Sequence, residues 1–160
     1  MAIPHLNISH DSYTVYRIAK ELGKGRLKCY DYFADKNVYT ADVLGQASRI
    51  VEAVILGMPL PRIGSSMDKE GVLTFIDNTF IINSLVSFME GKFNLVRLNV
   101  LKDFEGKYYK DIMPIYQNRI DDAEISVYWY QDNADVELTH LFEQSLRGAF
   151  QEQCLQIGHK

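Results

Sequence analysis

The chain reads as one α+β domain over residues 1–160, with helices packed on a small mixed sheet. Three observations predict that class. Apolar residues recur at helical spacing in four separate segments. Short β-prone runs fall between them, the strongest being Ile125 to Tyr130. The two kinds of segment follow one another irregularly, without the strand–helix–strand repeat of a doubly wound sheet. With 160 residues, 47% of them apolar, the chain can bury an ordinary core without disulfide or metal staples.

Taken in order, Asp11 and Ser12 offer a cap for a first helix that carries Val15, Ile18, Ala19 and Leu22 on one face. Gly23 and Gly25 end it. Leu27, Cys29, Tyr30 and Phe33 predict a short strand. Thr40 is placed to cap the next helix, with Asp42 in its first turn, where a negative charge meets the helix dipole. That helix carries Leu44, Ala47, Ile50, Val51, Val54 and Ile55 on a broad apolar face, and Gly57 closes it. Pro59 and Pro61 force an extended exit, because a residue before proline avoids the helical region. Arg62 to Gly64 and Val72 to Ile76 read as two strands joined by a polar turn, Ser65 to Gly71. Asn78 or Thr79 should cap a helix with face Ile82, Leu85, Val86 and Met89, which Gly91 stops. Phe93 to Leu101 alternates like a strand. A short helix around Ile112 to Arg119, the strand Ile125–Tyr130 and a last helix from about Asp135 complete the pattern.

Net charge is −4. A domain that grips DNA chiefly through phosphates usually carries a basic excess, and a DNA mimic needs far more negative charge. Neither extreme fits. Cys29 and Cys154 stand apart and without neighbouring ligands, which predicts two reduced thiols rather than a metal site. The N-terminal MAIPHLNISHDSY lacks the basic region and apolar run of a secretion signal, and no apolar stretch approaches the ~20 residues that span a bilayer. A cytoplasmic protein is expected.

Two segments flank a third in a familiar order. Arg49 to Ile63, RIVEAVILGMPLPRI, is an apolar helix with a Gly-x-Pro-x-Pro exit. Ile82 to Leu95 is a helix running on toward a strand, and Ile76-Asp77-Asn78-Thr79-Phe80-Ile81 precedes it. Together they resemble the ParB/sulfiredoxin-like domain that opens the GmrSD-type, modification-dependent restriction enzymes, over residues 14–152. Ser48, Arg49, Ile50, Glu52, Gly57, Pro59 and Pro61 match that family's helix and cleft. The family has Asp-Gly-Gln-Gln-Arg where this chain has Asp77-Asn78-Thr79-Phe80-Ile81, so only the aspartate is kept. Ala34 and Asp35 stand where the family has Gln-Arg, and Tyr39 where it has tryptophan. In the late motif Phe142 and Gly148 fit, while Leu146 replaces an asparagine.

The losses have a chemical direction. Glycine lets backbone N–H groups approach a phosphate, and arginine supplies a charged fork that matches phosphate oxygens. Phe80 and Ile81 supply neither. Asn78 and Thr79 leave a helix N-terminus able to hold one anion weakly. The resemblance, with its nucleotide loop lost, implies a catalytically degenerate domain without a cofactor, acting by binding. The host setting it implies is a phage or plasmid protein that regulates or inhibits a host protein. Two alternatives stay open: a divergent nucleotide-dependent DNA nuclease using Asp77 with Glu52, Arg49 and Arg147, and a DNA-binding module using Lys24, Arg26 and Lys28.

No other catalytic set is evident. His5, His10, His140 and His159 are scattered, and Asp121-Asp122 before Glu124 reads as a polar turn rather than metal ligands with Asp77. Ten tyrosines and a basic run, Lys20, Lys24, Arg26, Lys28 and Lys36, favour an interaction surface, in which Tyr39 and Arg147 are further candidates. A solvated face and a packed sheet account for the same residues without any partner.

Overall fold

The computed structural model describes residues 7–131 together with positions 137, 138, 140–142 and 144. Strands β1 (Ser9–Thr14), β2 (Leu27–Lys28), β3 (Ile63–Met67), β4 (Leu73–Phe75) and β5 (Glu124–Gln131) form one mixed sheet in the order β1-β5-β3-β4-β2. β1 runs antiparallel to β5 and β3 antiparallel to β4, while β3 pairs parallel to β5 and β2 parallel to β4. Helices α1 (Val15–Gly23), α2 (Ala41–Ile55), α3 (Thr79–Met89) and α4 (Pro114–Asp121) pack together and share a single core with the sheet. The α+β class is therefore as the sequence predicts.

The strand register decides which sheet residues join that core. Tyr13, Ile125, Val127, Ile63, Leu73, Phe75 and Leu27 are buried and occupy equivalent positions across the five strands. The alternate residues, among them His10, Tyr128, Ser66 and Thr74, lie on the opposite face. There the ring of Tyr130 meets that of Phe142 at 5.7 Å. The sequence's alternating β5 and its rings on both faces are thus sheet packing.

α2 forms where its signals place it. Thr40 is extended and its hydroxyl accepts a hydrogen bond from the Val43 N–H, while Gly57 leaves the helix with φ +83°. Ala47, Val51, Val54 and Ile55 are buried, and so, against its charge, is Glu52. β3 runs further than expected, to Met67, before a turn whose Asp68 Oδ1 accepts from the Glu70 and Val72 N–H groups.

Three expectations are corrected. Asp11 and Ser12 do not cap α1; they belong to β1, and the cap is Thr14, whose hydroxyl accepts from the Arg17 N–H at 3.1 Å. β1 escapes the pattern because it is an edge strand of mostly exposed polar residues, with Tyr13 its one buried side chain. The strand at Leu27 to Phe33 lasts two residues, since Asp31 accepts from the Phe33 N–H and turns the chain into a 3-10 helix, Tyr32–Ala34. Residues 93–101 make no strand. Arg97 has φ +54°, which breaks the alternation, so the buried residues are Phe93, Leu95 and then Leu98. The last helix of the sequence reading falls mainly outside the described residues, though 137, 138, 140–142 and 144 are helical. Among the described residues no helix is long and apolar enough to cross a membrane.

Candidate functional site

The loop beginning at Asp77 joins β4 to α3. Asp77 and Asn78 are buried there, at 7% and 8% exposure, so neither faces an open pocket. Asp77 Oδ1 accepts the Gly64 N–H at 2.5 Å and so ties the loop to β3. Asn78 has φ 51°, the left-handed region that asparagine tolerates better than most residues. The backbone shape that a glycine would provide is therefore reached without one. Asn78 occupies the cap position of α3 but does not cap it; its Nδ2 donates instead to the Arg62 carbonyl at 2.7 Å, and its Oδ1 has no partner among the described residues.

The next three residues turn inward. The Thr79 hydroxyl donates to the Tyr32 hydroxyl at 3.5 Å, and Ile81 packs against the core. Phe80 lies edge-on to Tyr32 at 5.6 Å and stacked with Phe33 at 6.3 Å. Phe33 also stacks on Phe93, which meets Phe88, which meets Tyr109. Phe80 is one link in this aromatic row, built from apolar surface where phosphate contact needs donors and charge.

Glu52 sits on the core side of α2. Its carboxylate accepts the N–H groups of Asn99 at 3.1 Å, Val100 at 2.9 Å and Leu101 at 2.8 Å. Burial pushes its pKa up, but those three bonds and the Lys102 ammonium outweigh that and hold it below the ordinary carboxylate value. Ser48 Oγ accepts the Val96 N–H, and Glu105 accepts that of Leu98. Side chains therefore take the N–H groups of Val96 and of 98–101, donors that a strand ladder would otherwise use. The buried Glu52 and Asn83, charged and polar on otherwise apolar helix faces, are the sequence signals that point to such clamps.

The other candidates disperse. Arg49 is exposed on α2; Pro59 is exposed and Pro61 half-buried on the exit from that helix. Tyr39 is 36% exposed, its hydroxyl donating to the Phe33 carbonyl and its ring edge-on to Phe33. Lys24, Arg26 and Lys28 are exposed around the α1–β2 turn, Arg26 lying 3.8 Å from Glu21. Arg147, Gly148, Leu146 and Cys154 lie outside the described residues. The carboxylates around α4 have structural places: Asp121 accepts the Tyr109 hydroxyl at 2.7 Å and Asp122 ends α4. Among the described residues no group of three or more His, Cys, Asp or Glu side chains is arranged to hold a metal ion.

A cleft of about 420 Å³ opens elsewhere, between the α1–β2 turn and α3, lined by Leu22, Lys28, Cys29, Asn83, Val86 and Lys92 among others. Its thiol is unsuited to attack. Burial raises the Cys29 pKa to about 11, which the Asn83 hydrogen bond opposes and Asp31 reinforces, so the nucleophilic thiolate is scarce near neutrality. Asn83 is the organiser here: its Nδ2 donates to the Tyr30 carbonyl at 2.5 Å and the Thr79 carbonyl at 2.8 Å, and its Oδ1 accepts the Tyr32 N–H at 3.1 Å. No family model matches the chain, and neither a curated protein nor a solved structure matches it.

Proposed function

We propose that this chain is a binding domain without turnover, a degenerate relative of the ParB/sulfiredoxin-like group that acts on a host protein as a regulator or inhibitor. The observation that carries the reading is the loop at 77–81. Asp77 is spent on the Gly64 N–H, Asn78 on the Arg62 carbonyl, and Phe80 on the aromatic row. Glu52, the acid a divergent nuclease would enlist, has both oxygens committed to residues 99–101. Exposed aromatic surface is left for contact: Tyr16, Tyr30, Tyr39 and Tyr108 are at least a third exposed. A phage or plasmid setting, with a host partner, follows from the family resemblance alone.

A ligand that binds only the native state raises the melting temperature by mass action. Magnesium with ATP or GTP is therefore expected to shift the melting temperature no further than magnesium with inorganic phosphate at equal concentration. Extra stabilisation by the triphosphate that disappears in Asp77→Asn would overturn the reading.

A further inference from the structure

Three unfavourable choices meet at one point on α2. Gly45 lies inside the helix, where glycine is the least favourable residue after proline. Arg97 adopts φ +54°, a conformation that side-chain-bearing residues rarely take. Two arginine side chains then converge on the bare Cα: a Cβ added at Gly45 would stand 3.1 Å from Arg97 Cδ and 3.5 Å from Arg49 Nη1. Backbone strain and close approach gathered in one place call for a functional explanation.

The charges are also unequal. Arg97 Nη1 meets Asp42 Oδ1 at 2.7 Å, while Arg49 makes no ion pair among the described residues. Asp42 pairs with Arg97 alone, and that carboxylate is 86% exposed, so it holds its partner weakly. The remaining carboxylate nearby, Glu52, faces residues 99–101.

We propose that Gly45, Arg49 and Arg97 form a cradle for a phosphate monoester. Such a group carries a charge of roughly −1.5 to −2 and three acceptor oxygens, enough to take bonds from both guanidinium forks and to displace a single carboxylate. The bare Gly45 lets both arginine side chains lie against the helix, close enough together to share one anion. A phosphorylated side chain of a partner and a free phosphorylated small molecule present the same chemistry. The cradle uses none of residues 77–81, so it extends the binding-domain reading without depending on it.

The test follows the Nε–Hε resonances of Arg49 and Arg97 by two-dimensional NMR on the full chain. Inorganic phosphate, O-phosphoserine and AMP are titrated separately. Both resonances should move together and saturate. Arg49→Ala should weaken binding by about tenfold or more, since one charge-assisted pair is lost. Asp42→Asn should tighten it severalfold by removing the competitor. Gly45→Ala should weaken it with the amide spectrum otherwise preserved, and the exposed Arg49 variant gives the answer if Gly45→Ala does not fold. Tighter binding of O-phosphoserine than of AMP identifies a phosphorylated side chain as the source, and the reverse order a small molecule. Uniform, unsaturable shifts at every arginine would mean an adventitious ion only, and unchanged binding in Arg49→Ala or Asp42→Asn would equally overturn the proposal. Nucleotide turnover at Asp77 would leave these results untouched, so the two readings fail separately.

Discussion

Glu52→Ala should lower the unfolding free energy by about 3–5 kcal/mol, because it strips the acceptor from three backbone N–H groups at once. Against a total of about 5–15 kcal/mol for a domain of this kind, such a loss leaves the variant near its unfolding threshold. Urea denaturation at neutral pH measures it. The physical cause is the segment 96–101, which has no strand ladder and whose N–H groups at 96 and 98–101 go to Ser48, Glu52 and Glu105. Glu52→Gln keeps one acceptor oxygen and should fall between wild type and Ala. It should also change the acid limb of the stability curve. The folded-state pKa of Glu52 is depressed, so its contribution is complete above the unfolded value of about 4.3 and drains away as pH falls through the lower folded value. Wild type therefore loses stability below that point more steeply than Glu52→Gln. Parallel acid limbs for the two proteins would show that the clamp is not ionic.

Asn83→Ala should cost about 2–4 kcal/mol, since it leaves the Tyr32 N–H and the Tyr30 and Thr79 carbonyls without their side-chain partner. Asn83→Asp should do no better than Ala. A carboxylate can accept from Tyr32 but cannot donate to two carbonyls, and it would bury a charge facing two carbonyl oxygens. Native-state hydrogen exchange gives a local readout: the Tyr32 amide should lose its protection in both variants before the core of α2 does. Unchanged exchange at Tyr32 would show that the 29–32 segment is held to α3 by its rings alone.

These two side chains also mark how far the sequence could be read. α2, α3 and β5 were legible because each carries a full set of local signals: Thr40 and Gly57 bound one helix, Gly91 stops another, and Ile125, Val127 and Tyr130 form a β-prone run. β1 was hidden because an edge strand needs few buried residues, and Ser9–Thr14 has only Tyr13. Residues 93–101 misled for a different reason. Their spacing imitates a strand up to Leu95, and nothing local reveals that Arg97 turns left-handed or that Glu52, far upstream, collects three of their N–H groups. The loop at 77–81 was legible in position and in its apolar drift. What Asp77 and Asn78 bind instead depends on β3 and its approach, which no residue pattern states. Gly45 could be seen as an odd glycine inside a helix, but the arginine that crosses it comes from another part of the chain.

The central proposal is that Asp77, through the Gly64 N–H, and Asn78, through the Arg62 carbonyl, hold the fold rather than serve turnover. Steady-state hydrolysis of ATP and GTP by the purified full chain, with magnesium, tests it most directly. A phosphate-release rate equal to that of a mock preparation is the expected result, the same for wild type and for a folded Asp77→Asn variant. A rate above that background in wild type, abolished by Asp77→Asn with the fold intact, would contradict it.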